Sequence, residues 1–135
     1  MVLPHQVQPF LKAFLFCANA YETSPGLYNI EGVFEQIVLD EFPATIPIQI
    51  FFDWSNLDDS RYKMDIRITP PGAKEPEKTI CPFETDEYGR AEYLSAISLD
   101  LEINESGEFT FEIILNDKLH GIIYLPILEK DSADE

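Results

Sequence analysis

The chain has 135 residues, 45% of them apolar and 13% aromatic, which suffices for one globular domain that buries its core without disulfide staples. Nine Lys and Arg stand against 25 Asp and Glu, a net charge of −16, and this excludes a phosphate backbone or an anionic bilayer as the expected partner. The two cysteines, Cys17 and Cys81, show none of the dense spacing of a secreted disulfide scaffold and read as reduced thiols of a cytoplasmic protein.

Taken in chain order, the first feature is the apolar run Phe10-Leu-Lys-Ala-Phe-Leu-Phe16, followed by Ala18-Asn19-Ala20. It imitates a secretion signal and is rejected as one: Met1 to Pro9 carries no Lys or Arg, and Lys12 interrupts the run. No apolar stretch approaches the roughly 18 residues that span a bilayer, so the expectation is a soluble, cytoplasmic chain. Leu11 to Cys17 reads as a strand, and Tyr28 to Leu39 as a second, less regular one. In Ile46-Pro-Ile48-Gln-Ile50-Phe-Phe52-Asp-Trp54 every even position is apolar. Tyr62, Met64, Ile66 and Ile68 then alternate with Lys63, Asp65 and Arg67, and a short strand lies around Lys78 to Phe83. Odd positions are apolar in Ile97 to Ile103 and again in Phe109 to Leu115, and Leu119 to Leu128 completes the set. Period two means strands with one buried face. About eight of them predict an all-β chain, a two-layer antiparallel β-sandwich with an immunoglobulin-like plan, over residues 1–128. Residues 129–135, Glu129-Lys-Asp-Ser-Ala-Asp-Glu135, read as a short acidic tail.

The last hairpin is specific enough for a register. A three-residue loop at Asn116-Asp117-Lys118 sets Leu115 opposite Leu119, Ile113 opposite Gly121, Phe111 opposite Ile123 and Phe109 opposite Leu125, so each inward pair is free of polar groups. Pro47 and Pro126 lack an amide donor and belong at edges or strand ends.

The order Leu15-Phe16-Cys17, Leu27-Tyr28-Asn29-Ile30-Glu31-Gly32-Val33-Phe34, Glu41-Phe42-Pro43, a strand ending in Trp54, the turn Pro71-Gly72 and Gly107-Glu-Phe109-Thr-Phe111 resembles a group of small bacterial proteins known as a domain of unknown function. The resemblance covers most of residues 11–125. It implies an immunoglobulin-like sandwich in a bacterial cytoplasm and carries over no catalytic residue.

The chemistry-bearing residues are few. His5, Cys17, Cys81 and His120 have no pair at the close spacing of a zinc knuckle. No nucleophile elbow is present. Glu108 with Glu112, and Asp100 with Glu102, share sheet faces, but alternating acids on a solvent face are what keeps a sheet soluble; the chain is therefore read as a non-enzyme without cofactor. Asp53, Asp58 and Asp59 on one inter-strand loop are the calcium candidate, and the alternative function is a calcium-dependent, lectin-like or membrane-docking sandwich. His120 projects outward in the expected register, and Cys17 is expected in the core with Cys81 partly exposed.

The main functional expectation is a protein-protein interaction module, an accessory or scaffold subunit of a bacterial assembly. Both parities of the first strand are apolar. If that strand and the last hairpin share one sheet, Phe10, Phe14, Phe16, Ile114, Ile122 and Tyr124 form an exposed patch for another protein or a second copy. The competing expectation is cover from within the chain, by Met1 to Pro9 or by the Tyr21-to-Tyr28 loop.

Overall fold

A computed structural model describes residues 9–57, 61–85 and 92–130, with the side chain of Glu92 excepted. Every regular element among them is a strand: β1 (Phe10–Cys17), β2 (Asn19–Ser24), β3 (Leu27–Glu31), β4 (Ile37–Leu39), β5 (Ala44–Ser55), β6 (Tyr62–Thr69), β7 (Lys78–Thr85), β8 (Glu92–Ile103), β9 (Gly107–Leu115) and β10 (Lys118–Glu129). The protein is all-β, as its period-two patterning predicts.

Ten strands among the described residues exceed the eight expected, for two local reasons. The stretch read as one strand from Tyr28 to Leu39 is broken at Gly32, whose φ is +67° and whose Cβ, if present, would sit 2.9 Å from that of Ala18. An L-residue disfavours that backbone and has no room there, so the chain turns and resumes as β4. The second reason is β2, which has no alternation to betray it: Tyr21 to Ser24 are all exposed.

The strands form a three-stranded sheet in the order β1-β5-β8, a five-stranded sheet in the order β4-β10-β9-β6-β7, and the separate hairpin β2-β3; all these pairings are antiparallel as expected except β4 with β10, which is parallel. Alternation sorts the side chains as the sequence predicts. Ile48, Ile50, Phe52 and Trp54 of β5 and Leu99, Leu101 and Ile103 of β8 join Met64, Ile66 and Ile68 of β6 and Phe109, Phe111, Ile113 and Leu115 of β9 in one buried cluster. Trp54 Nε1 donates to Met64 Sδ at 3.2 Å, which gives the single indole a partner in the driest part of the core.

The hairpin register agrees beyond its turn and differs at it. Gly121 faces Ile113, Ile123 faces Phe111 and Leu125 faces Phe109, but Lys118 faces Leu115 and Leu119 faces Ile114. The loop is a two-residue turn with Asn116 and Asp117 both left-handed, φ 50° and 65°, the pairing of dihedrals that matches strand twist in tight hairpins. A bulge between Leu119 and Gly121 then restores the predicted phase. Pro47 lies at the start of β5, outside the span Gln49–Ser55 that pairs with β1, and Pro126 precedes the Ile127–Glu129 segment that pairs with β4; each missing donor is at an open edge. Glu129, expected in the tail, is the last residue of β10 because β4 pairs with it. Residues 131–135 lie outside the described residues.

A candidate protein-binding surface

The two apolar parities of β1 are resolved by a bulge and a lid. The register with β5 shifts between Leu11 and Ala13, so Lys12 is the extra residue and Leu11 turns to the core side with Phe14 and Phe16 rather than with Ala13, Leu15 and Cys17. The second parity is then covered by the β2-β3 hairpin. Cys17, Ala20 and Phe51 form a buried cluster of their own, packed by Leu15, Tyr28, Ile30 and Leu94. The Tyr28 ring meets Phe51 edge-on at 5.3 Å, its hydroxyl bonds to Ser95, and Gln49 Oε1 accepts from Ala20 N at 2.6 Å while its Nε2 donates to Ser98 Oγ. The β2-β3 hairpin thus covers the outer face of the three-stranded sheet through Ala20, Tyr28 and Ile30, and of the expected Tyr21-to-Tyr28 loop only Tyr28 packs there, because Tyr21 to Ser24 and Leu27 are exposed.

The six residues of the expected patch fall in different environments. Strand β1 belongs to the three-stranded sheet and β10 to the five-stranded one, so the condition of a shared sheet is not met. Phe16 is buried, with its ring 4.9 Å from Phe111 and 6.1 Å from Phe34. Ile114 is buried as well, on the outer side of β9, where it faces Asp65 on one side and Leu119 on the other. The register accounts for the first correction: Phe14 and Phe16 stand opposite Phe52 and Ile50, whose side chains face the core, so this parity of β1 faces it too. Phe14 is half-buried against that core. Phe10, Ile122 and Tyr124 are exposed, at 47%, 44% and 56%.

The structure nevertheless brings three of the six together. Phe14, Phe16 and Tyr124 line a groove of about 380 Å³ between β1 and β10, with Val33, Phe34, Ile123 and Pro126 completing an apolar wall and Glu35 the charged residue in its lining. Open strand edges flank it. Among the described residues, backbone bonding on the side of β1 away from β5 is limited to the bridge from Phe16 to Phe34 and, just past the strand, the amide of Ala18, and β4 pairs with β10 from Ile127 onward. Val33, 52% exposed, and Phe34 are the wall residues that sequence reasoning misses. Their signal was the Gly32 break, which lifts Val33-Phe34 out of a ladder and places it across β1.

The remaining candidates do not converge. Asp53 is buried on β5 with Lys12 Nζ 3.9 Å from its Oδ2, so a cation of the chain already stands beside the first calcium candidate; Asp58 and Asp59 lie outside the described residues, as does His5. No three His, Cys, Asp or Glu side chains are grouped to hold a metal among the described residues. His120 does not project outward: as the bulged residue of β10 it turns inward, half-buried, its ring edge-on to Trp54 at 5.1 Å. Burial, and then the charge of Lys118, hold its imidazole below the ordinary range. Cys17 is buried and Cys81 exposed, both free thiols, and burial pushes each upward, which leaves neither activated as a nucleophile. Glu112 lies across from Arg67 on one neighbour and Ile122 on the other, a cross-strand charge pair rather than half of a carboxylate dyad.

Comparison with known proteins gives a family and little else. A family model described as a family of unknown function, DUF6941, matches residues 12–128. No curated protein matches the chain. Among solved structures, the chain is similar to a Pseudomonas fluorescens alkylpurine DNA glycosylase, AlkC, bound to DNA containing an abasic site analog, at a TM-score of 0.48 and 12% identity. The match covers 70% of this chain and 28% of that one, and a likeness of that strength carries nothing about ligand or chemistry. No helix among the described residues is long and apolar enough to cross a membrane.

Proposed function

We propose that this chain, which belongs to the family of unknown function DUF6941, is a non-enzymatic protein-binding module, an accessory or scaffold subunit of a bacterial cytoplasmic assembly. In this reading the three-stranded and five-stranded sheets are the two layers of an immunoglobulin-like sandwich. The cluster that Phe52, Trp54 and Leu101 share with Met64, Phe111 and Ile113 supports that arrangement.

The observation that carries the reading is the groove between β1 and β10. Its wall is aromatic and aliphatic, its exposed members include Tyr124 and Val33, and its flanks are β1, the outermost strand of its sheet, and the part of β10 before Ile127, which β4 does not pair among the described residues. Aromatic residues held on a rigid scaffold beside a concave apolar surface are what binding hot spots are made of. Solubility alone would select against leaving them there.

The test is the double substitution Ile122→Ser with Tyr124→Glu. Both side chains are close to half exposed or more, so the change is expected to cost no more than about 0.5 kcal/mol of stability. Tagged wild type and variant are compared for proteins retained from a bacterial lysate and, after purification, for self-association by sedimentation. A partner or dimer present in the wild type and lost in the variant supports the module. Identical retention and identical sedimentation overturn it.

A further inference from the structure

The opposite flank of the molecule carries a second opening with a different character. Among the described residues, β8 is the outermost strand of its sheet and β7 the outermost of the other. A cleft of about 470 Å³ lies between them, near the turn that joins β6 to β7, a volume within the roughly 300–1,000 Å³ of ordinary binding pockets. Its floor is the edge of the core, with Ile68, Leu101 and Phe109 all buried. Its margin is charged, with Glu77, Asp100 and Glu102 exposed against the single base Lys78.

We propose that this cleft binds an extended, cationic segment of a partner protein, which adds as a strand to the open edge of β8 and lays Lys or Arg side chains over the cleft. Main-chain bonding to an open edge supplies affinity without regard to sequence, and the pockets beside it choose the side chains. A Lys or Arg fits both parts of this cleft: its methylene stem packs on the apolar floor while its head reaches the marginal carboxylates. The same charges reject the other occupants. A second copy pairing β8 to β8 would bring two chains of −16 together and set Asp100 and Glu102 near their own equivalents, a cost that keeps open edges from self-pairing. A nucleic acid is repelled for the same reason. A metal ion needs converging ligands, and the described carboxylates do not converge. This site is separate from the groove between β1 and β10, and neither depends on the other.

The experiment uses a fluorescein-labelled octapeptide of alternating Lys and Val, titrated with the full chain and read by anisotropy in about 150 mM salt, where long-range attraction to a net-acidic surface is screened. Saturable binding is expected, weakened about tenfold or more in Glu77→Lys/Glu102→Lys and less than about twofold in Glu22→Lys/Glu84→Lys, which makes the same change of net charge on the separate β2-β3 hairpin and at the far end of β7. The variant Ile122→Ser/Tyr124→Glu keeps full binding, which separates this site from the one proposed above. An octapeptide N-methylated at alternate amides, unable to complete a ladder, is expected to bind at least about tenfold less tightly. Hydrogen exchange on the wild type gives a readout free of any variant: amides of Leu99 to Ile103 slow on peptide addition. Absence of saturable binding, equal loss in both charge-reversal variants, undiminished binding of the methylated peptide, or no slowing in β8 would each overturn the proposal.

Discussion

Asn116 concentrates more structural work than any other polar residue in the hairpin between β9 and β10. Its φ is positive, a conformation that Asn tolerates better than other side-chain-bearing residues. Its side chain also clamps a neighbouring strand. Lys63 N donates to Asn116 Oδ1 at 2.8 Å, Asn116 Nδ2 donates to Arg61 O at 2.9 Å, and Asn116 N donates to Lys63 O at 2.9 Å. The residue thus fixes the turn geometry and ties the start of β6 to the end of β9. Asn116→Ala loses the two side-chain bonds and places a less tolerant residue at a positive φ, for an expected destabilisation of about 2 kcal/mol. Asn116→Gly relieves the backbone while losing the same bonds, and is expected to fall between wild type and Ala. Urea midpoints of the three proteins measure this; equal stability of Ala and Gly would mean that backbone strain contributes nothing.

At the scale of elements, the β2-β3 hairpin determines which apolar face of the three-stranded sheet is wet. It holds on through the Tyr28 ring on Phe51, the Tyr28 bond to Ser95 and the Gln49 bond to Ala20, and beneath it lies Cys17, fully buried. The thiols therefore report on the lid. A thiol reagent added to native protein is expected to modify Cys81 and spare Cys17, since reactivity follows exposure and thiolate content. Tyr28→Ala removes the anchoring ring, and Cys17 labelling is then expected to rise by about tenfold while the melting transition stays cooperative. If Cys17 stays protected, the hairpin is held by its backbone and not by Tyr28. The same element shows where sequence reading stops. Strands β6, β8 and β9 and the first half of β5 were legible because each has one mainly wet and one buried face, which writes period two into the chain; the second half of β5, buried on both faces, kept its alternation only on the even positions. The hairpin was not legible, because β2 packs as a lid through Ala20 while Tyr21 to Ser24 stay exposed. The apolar second parity of β1 was legible as an anomaly, but whether another molecule or the chain itself covers it is decided by contacts between residues far apart in sequence. The bulges at Lys12 and His120 were invisible for a related reason: one inserted residue reverses the facing of what precedes it, and nothing in local composition marks it. The groove was accordingly half legible. Phe14, Phe16 and Tyr124 were foreseen as related residues, whereas Val33 and Phe34 reach them only because the chain breaks at Gly32.

For the whole molecule, charge is the dominant property. Residues 21–60 hold eight acids and no base, and residues 91–135 hold eleven acids and two bases, so most of the surface repels itself. Self-repulsion destabilises the compact state and is relieved by any electrolyte. A rise in melting temperature on adding calcium is therefore not evidence for a calcium site unless it exceeds the rise from sodium at equal ionic strength. The structure gives a reason to expect no excess. Lys12 Nζ already stands 3.9 Å from Asp53, and a calcium ion at that carboxylate would have to displace the ammonium or bear its repulsion. Raising sodium chloride from about 10 to 500 mM is expected to increase the melting temperature by several degrees, and about 1 mM calcium at matched ionic strength to add less than about 1 °C. A saturable further rise, removed by Asp53→Asn, would establish a calcium site and return the ligand-binding alternative to first place. A rise that Asp53→Asn leaves intact, with sodium alone giving nothing, would show instead that the acidic surface binds divalent ions at places other than Asp53.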